Sequence, residues 1–285
     1  MENAKLVFSV QDHDAQPDPI YVRNTASWCY DLRQAMTCIS PWNFNTAPNV
    51  EPGGPKGAGT AITAQHIITS EHYELQRGAL IRFITADNQV IVKTIRGRAT
   101  HPDFYRTTPH GPSDITIYTL DSLLPASITP CKLLPANYTN RLSHLRSGRP
   151  PVMILDQEEK ALVTELGELD YYTGFPSTSA EYLRPALHRQ RLAFFEPLID
   201  GDSSNPAFLL INNTLALLSV ARGSDFSSFS DGVFVTPQID TLNAMIVAAD
   251  ADCINQPPFT PISTGFTVQT VDLSGFNSYT PPNPP

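Results

Sequence analysis

Between Gly57 and Val235 the chain is a succession of short β-rich runs separated by turn residues, with no long helical pattern to interrupt it. That rhythm is the one a sandwich or barrel requires. The strand candidates are 61–69, 79–85, 89–95, 114–120, 152–156 and 160–166, several of which alternate in polarity. The strongest hairpin signal is Ala207–Ile211, Asn212-Asn213 and Thr214–Val220, because adjacent Asn residues tolerate the positive φ angles of a two-residue turn. A helix is expected only late. Thr236 is a good N-cap and Pro237 a good first helical residue, after which Ile239, Leu242, Met245, Ile246 and Ala249 form one apolar stripe ending near Asp250.

The flanks are different in kind. Residues 1–39 are irregular, with room for a short helix in 26–37, and residues 251–285 are rich in Pro, Ser and Thr, too poor in apolar side chains to bury much by themselves. The chain therefore divides into an N-terminal extension (1–39), a β domain (40–250) and a Pro-rich C-terminal arm (251–285). Arms of this composition are suited to docking on assembly partners.

Charge narrows the partners. A formal net charge of −9 and a pI near 5.2 argue against nucleic acid, whose phosphates are bound by clustered Lys and Arg; the short basic groups at 93–98 and 184–191 read as solvated faces. The longest apolar stretch, 207–221, is broken by Asn212-Asn213 and falls short of the about 20 residues a membrane helix needs. The first 17 residues lack the pattern of a signal peptide, which favours a cytoplasmic or virion-associated protein over a classically secreted one. Cys29, Cys38, Cys131 and Cys253 are expected as free thiols, while their possible pairings stay open. None of His13, His66, His101, His110, His144 and His188 stands at a metal-ligand spacing from Cys, Asp or Glu; no metal and no cofactor is expected.

Three segments carry the parts that acyl transfer needs, namely a nucleophile, a base and a group that orients the base. In 57–72 a strand, a turn and a second strand end on His72. In 113–120 Asp114 opens a half-buried strand. In Asp200-Gly201-Asp202-Ser203-Ser204-Asn205-Pro206 a tight polar turn feeds the strong hairpin. Together they resemble the trypsin/chymotrypsin family of serine proteases, whose chain order is His, Asp, Ser. Ile67–His72 is similar to the strand ending Thr-Ala-Ala-His, Asp114–Leu120 to Asp-Ile-Ala-Leu-Leu-x-Leu, and Gly201–Pro206 to Gly-Asp-Ser-Gly-Gly-Pro. His101-Pro102 before the aspartate, Pro41-Trp42 at the first barrel strand and the late helix fit the same frame.

The resemblance implies an all-β fold of two antiparallel six-stranded β-barrels with a C-terminal helix. It further implies a catalytic triad of His72, Asp114 and Ser203, an oxyanion hole from the N–H groups of Gly201 and Ser203, and a specificity pocket with Pro197 at its floor and 220–225 along one wall. An uncharged pocket floor favours uncharged side chains in a peptide or protein substrate.

Departures from the family are equally specific. Ser204 and Asn205 stand where two glycines are usual, Asn being the more tolerant of a left-handed backbone. Glu71 adds a carboxylate beside His72. Gly57, Tyr73 and Ile199 replace cysteines, which suits a viral or bacterial branch, whereas Cys131 matches a family cysteine. Asp202 matches the aspartate that pairs with a new N-terminus in activated zymogens, yet no such activation site precedes it, so an internal partner is expected, either a buried Arg or backbone donors. Two functions follow: a serine endopeptidase, or a trypsin-fold structural protein of a virion or other assembly whose triad is vestigial.

Overall fold

The computed structural model describes residues 2–12, 15, 18–41, 58–104, 113–138, 149–171, 179–185, 189–211, 214–224, 229–254 and 265–273. The N-terminal extension begins with a short helix α1 (Glu2–Lys5) and a two-stranded antiparallel ribbon, β1 (Phe8–Asp12) and β2 (Ile20–Arg23). The helix expected in 26–37 is instead two 3₁₀ turns, Tyr30–Leu32 and Ala35–Cys38.

Five strands build the first sheet: β3 (Thr60–Ala61), β4 (His66–Thr69), β5 (Leu80–Ile84), β6 (Val90–Thr100) and β7 (Thr116–Leu120). They lie in the order 3-4-7-6-5, all antiparallel, and curl into a half-barrel. The run 61–69 is broken in two by Thr63, whose hydroxyl accepts the backbone N–H groups of Gln65 (3.1 Å) and His66 (3.0 Å), a side-chain turn without Gly or Pro to announce it.

The second unit holds β8 (Lys132–Leu133), β9 (Pro151–Leu155), β10 (Ala161–Tyr171), β11 (Ser179–Leu183), β12 (Pro206–Ile211), β13 (Thr214–Ser224) and β14 (Phe229–Phe234). Six of them close a barrel in the order 12-9-10-11-14-13, with β12 pairing back to β13; β8 adds to β13 in parallel. The expected hairpin is thus present as β12 and β13, its Asn212-Asn213 turn lying outside the described residues. Of the two six-stranded barrels implied by the family pattern, one is closed and the other is a five-stranded half-barrel among the described residues. The fold is compatible with a trypsin-like one.

Burial explains the sequence of these strands. Every residue of β9 and β12 is buried, which is why they read as unbroken apolar runs. Successive residues divide between two cores, Met153, Leu155, Phe208 and Leu210 in one and Val152, Ile154, Leu209 and Ile211 in the other, as the period of two demands. The first of these cores is continuous with Ile67, Ile81, Phe83 and Ile117 of the half-barrel.

The chain continues through a 3₁₀ turn at Thr236–Gln238 into helix α2 (Ile239–Ile254), whose face Leu242, Met245, Ile246, Ala249 and Cys253 is buried. The helix runs past Asp250 because that residue is an anchor: its carboxylate meets His66 Nε2 at 2.9 Å and accepts Thr119 Oγ1 at 3.1 Å. Residues 265–273 fold back on the second unit, where Leu133 donates to Gln269 O and Val271 donates to Leu133 O.

Candidate active site

Antiparallel pairing places Thr69 of β4 opposite Thr116 of β7. His72 lies three residues beyond one partner and Asp114 two residues before the other, so strand register brings the pair together. A 3₁₀ turn at Glu71–Tyr73 then directs the imidazole. Asp114 Oδ1 accepts the backbone N–H of His72 at 3.0 Å, and Asp114 Oδ2 is hydrogen bonded to His72 Nδ1. The carboxylate side chain is 1% exposed and the imidazole 28%. An Nδ1–H donated to the carboxylate leaves Nε2 as the basic nitrogen.

The turn itself is held by Glu71, whose carboxylate accepts Arg98 Nη2 at 2.7 Å and Thr116 Oγ1. The extra carboxylate foreseen beside the imidazole is engaged by these groups. Arg98 also pairs with Glu74, so one cation clamps both ends of the His72 turn.

Ser203 is half-buried in the turn before β12. That turn is fastened to the His72 strand through the neighbouring serine: Ser204 Oγ accepts the N–H of Ser70 at 3.1 Å and bonds Ser70 Oγ at 2.6 Å. It is fastened to β13 by Ser204 N to Ala221 O (3.1 Å) and Ala221 N to Asn205 O (2.8 Å). Burial first, and then the negative charges of Asp200 and Asp202, raise the pKa of Tyr73, the residue following His72. Among the described residues no hydrogen bond joins Ser203 Oγ to His72, a contact that in related chemistry often tightens only around substrate.

The backbone of the 200–206 turn is unusual at two points. Gly201 has φ +106° and Ser204 φ +74°. At Gly201 the backbone conformation itself favours glycine, since a side chain at this φ is strained, while the nearest atoms to an added Cβ belong to the flexible end of Gln157. At the next left-handed position it is Ser204, not Asn205, that adopts the conformation costly to a side chain; its two bonds to Ser70 offset that cost. The N–H groups of Gly201 and Ser203 donate to no other described residue.

Asp202 is buried and is held by backbone donors, Gln157 N at 2.9 Å and Ile199 N at 2.7 Å. Burial raises its pKa, the two N–H bonds work against that, and the charge of Lys160 helps them. Beside it, burial lifts the pKa of Asp156 to about 7, with the charge of Asp202 contributing. Pro197 is exposed, and of the expected pocket wall Val220 and Ala221 are buried while Asp225 lies outside the described residues.

The four cysteines are free and buried. Of the six other histidines, His66 is committed to Thr63 and Asp250, His101 is buried with its Nδ1 accepting Asp103 N at 3.2 Å, and the remaining four lie outside the described residues. Among the described residues no three His, Cys, Asp or Glu side chains converge as a metal site would require. The Ser70–Ser204 bond, the Arg98–Glu71–Thr116 clamp and the Gln157 contact are not legible in sequence, because each joins residues far apart in the chain. No family model matches this chain, and no curated protein matches it.

Proposed function

We propose that the chain is a serine endopeptidase acting through an acyl-enzyme. Ser203 Oγ attacks the carbonyl carbon of the scissile peptide while His72 Nε2 takes its proton, and Asp114 holds the Nδ1–H tautomer and stabilises the imidazolium. The oxyanion is received by the N–H groups of Gly201 and Ser203, each donor worth about 3 kcal/mol in the transition state. The C–N bond then breaks as the imidazolium gives its proton to the leaving amine. Water repeats the sequence on the ester, releasing the acid and restoring Ser203. No cofactor enters these steps.

The observation that carries this reading is the double contact of Asp114, one oxygen on the His72 backbone and the other on Nδ1. A fluorophosphonate probe tests it. The wild-type protein should label, Ser203→Ala should not, and Asp114→Asn should label about 10⁴-fold more slowly, the loss expected when the wrong tautomer is held. Absence of labelling in the wild type refutes the proposal.

That outcome would favour the second reading, a trypsin-fold interaction protein of a virion or other assembly with a silent triad. Its support is the side chain carried by Ser204 at positive φ and the missing Ser203–His72 bond.

A further inference from the structure

The N-terminal extension is bound to the two segments that hold the nucleophile turn. Leu6 bridges Lys160, and Val7 N donates to Glu159 O at 2.9 Å. Trp28 donates its indole N–H to Ala161 O at 2.8 Å and packs edge-on to Phe194, with ring centroids 6.3 Å apart. Lys5 is the central contact. Its side chain is only 5% exposed, and its ammonium bonds Glu196 as well as Glu2, the latter at 2.7 Å. Glu196 in turn accepts Lys160 Nζ at 2.9 Å.

These partners stand next to the donors of Asp202. Lys160 closes the 156–160 turn that contains Gln157, and Glu196 begins the stretch leading to Ile199. Gln157 also reaches Asp200 O with its side-chain amide at 3.1 Å, so the same residue holds the turn twice. Burial lowers the pKa of Lys5, but Glu196 and Glu2 outweigh it and the net direction is up. Burial raises that of Glu196, but Lys5 and Lys160 outweigh it and the net direction is down. Both groups are therefore charged at neutral pH.

We infer that the N-terminal extension is a positioning element for the oxyanion turn, in which Lys5, through Glu196 and Lys160, fixes the Gln157 and Ile199 amides that orient Asp202 and hence the N–H groups of Gly201 and Ser203. The role does not require a new amino terminus: an internal lysine, acting at one remove, replaces an ion pair made directly to the aspartate. Its catalytic consequence rests on the peptidase reading, whereas its structural consequence does not.

The test pairs Lys5→Met, which fills the same volume without charge, with Lys5→Arg, which restores it. Hydrogen exchange is followed at the amides of Gln157 and Ile199 and, as an internal reference, at Leu209 and Leu217 of the closed barrel. In Lys5→Met the first pair should exchange at least about tenfold faster at unchanged protection of the second, and Lys5→Arg should return them to the wild-type rate. Peptide turnover should fall about tenfold in kcat with KM within about twofold, because a misdirected oxyanion donor is felt in the transition state. Glu196→Gln gives the same readout should Lys5→Met fail to fold. Unchanged exchange at Gln157 and Ile199 in a folded variant overturns the inference. A wild type without peptidase activity, but with the expected exchange pattern, overturns only the proposed function.

Discussion

Replacing Asp156 by Asn should stabilise the protein, and increasingly so as pH rises. Asp156 is 8% exposed, and its Oδ1 accepts the N–H groups of Glu158 and Lys160, each at 2.9 Å. An Asn Oδ1 can accept both, so the turn is preserved while a buried negative charge beside Asp202 is removed. Burial first, and then the charge of Asp202, lift the carboxyl from an ordinary pKa of 3.8 to about 7. Between those values the folded protein keeps a proton that the unfolded chain has released, so stability falls as pH rises. The contribution is complete below pH 3.8 and lost above about 7; at about 1.36 kcal/mol per pH unit the span is worth about 4 kcal/mol. Urea unfolding of both proteins from pH 4 to pH 8 measures it. Near pH 4 the two should unfold alike, whereas at pH 8 the Asn variant should be the more stable by about 4 kcal/mol. A difference independent of pH would refute the reasoning, since all other carboxyl groups are common to both chains.

Arg98→Met leaves the buried Glu71 carboxylate without its cation and should cost about 3 kcal/mol in urea unfolding; a loss below about 0.5 kcal/mol, the scale of a surface change, would show that the clamp contributes little. Gly97→Ala should cost about 2 kcal/mol by overpacking, because a Cβ there would collide with Ala249 O and Cys253 Sγ of α2; an unchanged unfolding midpoint would mean that the helix is not seated as described. The thiols should be silent to Ellman's reagent at pH 8 in the native protein, all being buried and burial raising the pKa of Cys253 to about 11, and all four should react in guanidinium. Only two reacting there would reveal a disulfide.

The parts of this fold that could be read from sequence are those fixed by neighbours in the chain. The Asn212-Asn213 signal between two apolar runs was enough for the β12–β13 hairpin, and the chain positions of the two strand motifs were enough to bring His72 against Asp114. What escaped depends on distant residues. The turn inside 57–72 was expected, but its place within the apolar run 61–69 is set by the Thr63 hydroxyl, and Asp250 looks like a polar helix end until His66, 184 residues away in sequence, is found against it. The partner of Asp202 could be narrowed to a cation or backbone donors; only the folded chain distinguishes them, because an amide donor carries no residue identity. Of the two residues that stand where glycines are usual, Asn205 is the one that tolerates a left-handed backbone by propensity, yet it is Ser204, held by its bonds to Ser70, that adopts it.

The short strand β8 has a consequence for how this protein is made. Its neighbours are Ala216 and Leu217 on one side and Gln269–Val271 on the other, all of which leave the ribosome well after residues 132–133. During synthesis those residues expose unpaired backbone groups that invite strand addition from another chain, and the closing contact has a high sequence separation, which slows folding. Completion of this edge therefore waits until the segment from 265 to 273 has emerged to seal it.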